Sequence, residues 1–312
     1  MKKTAFLFPG QGSQKVGMGQ DLARADDAAA NIFATADQVS GLPVTRLCFE
    51  GPMDELTQTV NLQPAVTAVN LAFLAAVQSA GIHPQICAGH SLGEYSALSA
   101  AGVVSVEDSL KLVFKRGELM HREATRHKGA MSAVVGLSIE QVTALVEQAG
   151  QTGIVAVANH NSAEQIVVTG SAEGVAAAAE IAKSLGGKAI ALKVSGAWHS
   201  PLIKGAEAEF KTFLDDIAFE KPRCDVIHNV TAASETGPDG IRALMAAQLC
   251  SPVRWYDSVL RMIAEGTEVY VEIGPGRVLT GLLKKILPAG SDARVYNVFD
   301  IKSLEAFVQA EG

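Results

Sequence analysis

The stretch Ala88-Gly89-His90-Ser91-Leu92-Gly93-Glu94 constrains the fold more than any other in the chain. A short apolar run over residues 85–88 breaks at a glycine, presents a serine and breaks at a second glycine, after which residues 94–101 carry a helical pattern. Strand, tight turn and helix with G-x-S-x-G at the turn read as a nucleophile elbow, whose flanking residues are small because backbone segments approach closely there. Ser91 then stands at a helix N-terminus, where unpaired N–H groups and the positive end of the helix dipole favour a developing oxyanion. An ordinary glycine turn can carry the same five letters, so the flanking strand and helix are what favour the functional reading.

Around that unit the chain alternates strands and helices. Residues 4–8 form a short apolar strand, and Pro9-Gly10-Gln11-Gly12-Ser13-Gln14 is a loop tolerant of unusual backbone angles. It lacks the G-x-G-x-x-G spacing and distal acidic residue of a dinucleotide site, which leaves aiming backbone N–H groups at negative charge as its other use. Helices are expected over 28–40, 63–80 and, capped by Ser105, 106–123. From residue 129 the order strand 130–135, helix 139–148, strand 154–158, strand 165–169, helix 172–185 and strand 189–194 is the ferredoxin-like β-α-β-β-α-β unit, about 70 residues long. Strands at 225–229, 269–273 and 294–299 resume the first pattern. The expectation is an α/β protein: a large domain of residues 1–127 and 199–312 with a mainly parallel sheet, and a small subdomain of residues 128–198 inserted into it.

Composition narrows the function. A net charge of −7 argues against nucleic acid as a partner. The four cysteines, at 48, 87, 224 and 250, are too scattered for a zinc site and fit a reducing compartment. No segment is expected to reach membrane-spanning length and the N-terminus does not read as a signal peptide, so a cytoplasmic location is the default expectation.

A serine nucleophile needs a base, and seven histidines compete. His90 adjoins Ser91 but should point away from it, and His160 lies in the polar stretch 159–162, expected as a turn. His199 stands in Trp198-His199-Ser200-Pro201, just before a helix expected to run to about Leu214 and capped by Ser200. The positive end of that helix would keep the imidazole neutral, as a base requires. A loop histidine with a structural hydrogen bond fits the same pattern. Asp215 and Asp216 lie roughly 20 Å down that helix and cannot orient His199; Glu272 and Asp300 stay open as third members, as does a backbone carbonyl or amide. Arg116, at the edge of an apolar helical stripe, could reach a partly buried pocket, although an arginine snorkelling from the rim of a packed face is the commoner arrangement.

With residues 8–14, Gly89-His90-Ser91-Leu92-Gly93-Glu94-Tyr95, Arg116-Gly117, Trp198-His199-Ser200-Pro201, Gln248 and Glu272-Ile273-Gly274-Pro275-Gly276 in order, the chain resembles the malonyl-CoA:acyl carrier protein transacylases of the freestanding bacterial type. That family's large domain is α/β-hydrolase-like with a ferredoxin-like insertion. The resemblance implies Ser91 as nucleophile, His199 as base, Gln11 and Leu92 as backbone donors to the oxyanion, Arg116 as the bidentate partner of the malonyl carboxylate, and the Gln248 carbonyl as the group orienting His199. It implies malonyl-CoA and an acyl carrier protein as partners, no bound cofactor, no metal and ping-pong transfer in fatty-acid synthesis; a monomer is expected. Supply of a polyketide synthase or a malonate decarboxylase, and a serine thioesterase, are the alternatives. Many malonyl-selective members carry phenylalanine before the histidine, where this chain has Trp198.

Overall fold

The computed structural model describes residues 2–312. Strand β1 (Thr4–Phe8) leads through helices α1 (Gln20–Ala25), α2 (Asp27–Ser40), α3 (Val44–Glu50), α4 (Met53–Thr57) and α5 (Thr59–Ser79) to β2 (Ile86–Gly89), α6 (Gly93–Ala100) and α7 (Val106–Arg126). Next come β3 (Ala130–Val135), α8 (Ile139–Ala149), β4 (Val155–Ser162), β5 (Gln165–Gly170), α9 (Ala172–Ser184) and β6 (Lys188–Ala191). A 3₁₀ turn over Pro201–Ala206 precedes α10 (Glu207–Asp215), β7 (Asp225–Ile227), α11 (Pro238–Gln248), α12 (Trp255–Ala264), β8 (Val269–Ile273), α13 (Val278–Ile286), β9 (Arg294–Val298) and α14 (Ile301–Glu311).

Two sheets result. The first is parallel throughout, in the order β7-β2-β1-β8-β9; the second is antiparallel, in the order β4-β5-β3-β6. The second order is that of a ferredoxin-like unit, with α8 and α9 packed on one face through Val134, Val142, Leu145, Ile166, Val168 and Ala178. In the first sheet successive side chains of β1 enter opposite cores: Phe6 and Phe8 pack toward α2, α5 and α7, and Ala5 and Leu7 toward α12 and α13. A sheet covered on both faces explains why its strands read as unbroken apolar runs.

The structure corrects several expectations. Helix α5 begins four residues before the expected Gln63, carries Pro64 inside it and, with mean hydropathy 1.5, is long and apolar enough to cross a membrane. The expectation that no segment reaches that length therefore fails. Its apolar window is nonetheless 78% buried, packed against α2 and α7, so its apolarity serves the core. Residues 159–162 are not a turn but the end of β4, which Val253 joins by a parallel bridge to Asn159. Strand β6 ends at Ala191, three residues early, which frees Leu192 and Val194 to face a cleft. The helix expected from Pro201 starts as a 3₁₀ turn, capped by the Ser200 hydroxyl at Leu202 N–H.

Candidate functional site

The parallel sheet places two loops side by side at its C-terminal edge, where ligands of open α/β sheets ordinarily bind. Strand β1 feeds the Gly10 loop, β2 feeds the elbow, and the two pair in register. Both elbow glycines are dictated by backbone contact. A Cβ on Gly89 would lie 2.0 Å from the Gly93 carbonyl carbon, and one on Gly93 would lie 2.0 Å from Phe8 O. Gly93→Ala is accordingly expected to cost at least about 3 kcal/mol in denaturant unfolding, because the obstacle is backbone and cannot rotate away. Between them Ser91 adopts φ 51°, a left-handed conformation that a serine holds only at a cost of about 1–3 kcal/mol.

The turn aims Ser91 Oγ at His199 Nε2, 2.8 Å away. His199, also left-handed at φ 58°, is 3% exposed and comes from the chain's return out of the antiparallel sheet. Its Nδ1–H donates to Gln248 O and Ser251 O, both at 3.0 Å. Two carbonyls at Nδ1 place the proton there and leave Nε2 bare, so the Ser91 hydroxyl donates to it. Among the described residues no carboxylate bonds His199. Glu272 instead caps α13, accepting from Leu279 N–H, Thr280 N–H and the Thr280 hydroxyl, and Asp300 caps α14. Burial, reinforced by the Arg116 charge, pushes the His199 imidazole down to about 3. Desolvation is thus the first cause of its neutrality.

Arg116 is 1% exposed and is no snorkelling side chain. One Nη donates to Gln63 Oε1 at 3.0 Å and the other to Ser91 Oγ at 3.1 Å, while its Nε–H has no partner among the described residues. Gln63 holds its oxygen toward the arginine because its own amide donates to Met120 Sδ. Among the described residues the Gln11 and Leu92 backbone N–H groups have no protein acceptor, and both residues line the same cleft as Ser91, Arg116 and His199. That cleft has a cavity volume of about 120 Å³, with Met120, Met131, Leu192, Val194 and Trp198 as its apolar walls. Among the described residues no three His, Cys, Asp or Glu side chains are grouped to hold a metal ion.

Behind the site lies a buried polar network that the sequence reading did not assign. Glu94, 1% exposed, accepts from Gln248 Nε2 at 2.6 Å and from Asn229 N–H at 3.3 Å, and pairs with His228 Nδ1 at 2.8 Å. Gln248 Nε2 also donates to Ser91 O at 3.0 Å. Asn229 accepts from Ser91 N–H. The available signal was positional: Glu94 opens the elbow helix, and Asn229 follows a short strand at the sheet edge that carries the elbow. His90 turns away from Ser91 to bond Asn161 Oδ1 at 2.8 Å and packs on Trp255.

The family described as acyl transferase domain matches residues 5–307. A malonyl CoA-acyl carrier protein transacylase of Bacillus subtilis (strain 168) is 44% identical over 288 residues, which are 92% of this chain and 91% of that protein. The crystal structure of an acyl carrier protein S-malonyltransferase from Vibrio cholerae superposes with a TM-score of 0.93 at 40% identity, covering 98% of this chain and 99% of that one. A structure described as a type II PKS acyl-carrier protein in complex with its malonyl-transacylase gives 0.94 at 37% identity, covering 99% of this chain and 100% of the matched one. The arrangement of elbow, histidine and buried arginine is thus set in a chain that, by sequence and by fold, belongs to the malonyl CoA-acyl carrier protein transacylase family of acyl transferases.

Proposed function

We propose that the chain moves a malonyl group from malonyl-CoA to the phosphopantetheine thiol of an acyl carrier protein, through a malonyl ester on Ser91, in fatty-acid synthesis. The observation that carries the reading is Arg116: a fully buried guanidinium bonded to Ser91 Oγ, with an Nε–H still unpaired. A buried charge lacking a carboxylate partner is costly, and a planar fork beside the reacting oxygen suits an acyl group with a free carboxylate.

In this mechanism His199 Nε2 takes the Ser91 hydroxyl proton as Oγ attacks the thioester carbon. The carbonyl oxygen becomes an oxyanion that accepts from the Gln11 and Leu92 N–H groups. The C–S bond breaks, and CoA leaves with the proton from His199. The carrier thiol then attacks the ester, gives its proton to the same nitrogen, and Ser91 regains its hydroxyl. The subdomain of residues 128–198 supplies Met131, Asn159, Leu192 and Val194 to the cleft wall, which limits water at the ester. A second groove shares Gln11, His90, Asn159 and Leu192 with this cleft and continues past Gln165 and Lys285, a route for the pantetheine arm. Trp198 at the wall would crowd an α-methyl branch, favouring malonyl over methylmalonyl.

The direct test is mass spectrometry after mixing with malonyl-CoA, followed by the ratio of transfer to hydrolysis once holo carrier protein is added. A malonyl ester on Ser91 that passes mainly to the carrier is expected. Mainly hydrolysis would indicate a thioesterase.

A pH prediction follows from the depressed imidazole. With His199 pushed down to about 3, its neutral form persists far below the usual histidine range. First-turnover acylation is expected to stay level from about pH 8 to about pH 5, declining only as the pH nears 3; halving near 6.5 in a rapid-quench series would contradict it. Stability moves with the same sign. The unfolded chain takes up the imidazole proton below about 6.5 while the folded chain does not, so stability is lost as pH falls through this window. The loss is up to about 1.4 kcal/mol per pH unit, and this part of it should vanish in His199→Gln.

A further inference from the structure

Ser91 is held in its left-handed conformation by more than its two glycines. Its N–H donates to Asn229 Oδ1 at 2.7 Å, and the same carboxamide donates from Nδ2 to Gly89 O, also at 2.7 Å. One side chain therefore spans the turn, gripping the peptide before His90 and the N–H of Ser91. The Ser91 carbonyl is held too, accepting from Gln248 Nε2 and from Glu94 N–H at 3.1 Å. Asn229 is itself fixed, 1% exposed, with its N–H on Glu94 Oε2 and its C=O accepting from Arg254 N–H at 3.0 Å. It does not line the cleft that holds Ser91, His199 and Arg116.

We propose that Asn229 is a positioning residue for acylation: a two-pronged clamp that keeps Ser91 Oγ on His199 Nε2. This rests on Ser91 being the residue that carries the acyl group. The clamp has a second consequence. Because Asn229 occupies the Ser91 N–H, the elbow's donor to an oxyanion is the following one, Leu92 N–H. An asparagine suits this task better than aspartate, since one end must accept and the other must donate. Without the clamp the turn can relax from its strained conformation and carry Oγ off line, a displacement to which reaction rates are steeply sensitive.

The test uses Asn229→Ala and the smaller polar change Asn229→Ser, both of which remove the two bonds. First-turnover acylation by malonyl-CoA is measured by rapid quench, alongside the labelling rate of Ser91 with a neutral fluorophosphonate that needs no malonyl contacts. Both rates are expected to fall by the same factor, about 30-fold or more, with the half-saturating malonyl-CoA concentration within about twofold of wild type. A folded variant that acylates at the wild-type rate, or one that changes half-saturation alone, overturns the proposal. Ser91→Ala run in parallel separates the two levels of inference. An adduct persisting in Ser91→Ala would refute Ser91 as acyl carrier, whereas its loss there, with normal acylation in the Asn229 variants, would refute only the clamp.

Discussion

Ser91→Ala is expected to abolish malonyl transfer, lowering kcat by about 10⁴-fold or more, and to leave no acyl adduct on the chain. The hydroxyl oxygen sits 2.8 Å from a bare imidazole nitrogen and 3.1 Å from a guanidinium. Among the described residues no other hydroxyl bonds His199 Nε2. His90 is turned to Asn161, and Ser96 bonds Asn70 deeper in the core. His199→Ala is expected to cost a similar factor, because the only proton acceptor on Oγ among the described residues would be gone while the arginine still donates to it. Side chains that act as one unit are not additive, so Ser91→Ala/His199→Ala should lose no more than either alone. Stopped-flow release of CoA thiol measures all three. A double variant slower by the product of the single factors would mean that the two residues act independently.

Arg116→Ala is expected to lower kcat/KM for malonyl-CoA by about 10²- to 10³-fold, the order of effect of removing one partner from a buried ion pair. For acetyl-CoA, which has no carboxylate, the same variant should change little, so selectivity collapses more than activity does. Arg116→Lys should not restore it: one ammonium cannot reproduce a planar fork, and its shorter reach must also serve the Gln63 carbonyl now bonded at 3.0 Å. The measurement is the malonyl-to-acetyl ratio of first-turnover rates, with a melting curve for each variant. Equal losses for both donors would remove the carboxylate assignment. The melting curve matters because truncation leaves Gln63 Oε1 buried without its donor.

Much of the architecture was legible from local pattern. The ferredoxin-like order of strands and helices was readable because its elements carry clear periods, and in the structure its two helices are capped by Ser138 and Ser171. Strands β3 and β8 have the expected boundaries. Misreadings fell where tertiary contacts overrule local signals. Residues 159–162 look like a turn by composition, yet strand pairing with β5 and the bridge to Val253 extend β4 through them. Helix α5 starts before the expected Gln63, with Thr59 and Leu62 already buried in its first turn. Arg116 was ambiguous for a related reason, since spacing shows which helix face a residue occupies but not whether a neighbouring element closes over it.

The site divides along the same line. Ser91 and its glycines were legible locally, as a strand running into a helix through G-x-S-x-G, but only half of what dictates them is local: a Cβ on Gly89 would strike the Gly93 backbone four residues on, whereas one on Gly93 would strike Phe8 O of β1. His199 could be nominated from its own segment, but its partners could not: the Gln248 carbonyl entered only through the family resemblance and Ser251 not at all, because both lie about 50 positions away and act through backbone carbonyls, which every residue possesses. Asn229 and Glu94 act through their side chains, but their partners lie far off in sequence, so their roles arise only when β7 pairs beside β2 and Gln248 reaches the elbow. Local pattern marked where an elbow can stand, and the approach of β1 requires its second glycine. Long-range closure of the sheet chose which polar groups are dehydrated together, and dehydration is what gives the histidine, the arginine and the clamp their chemistry.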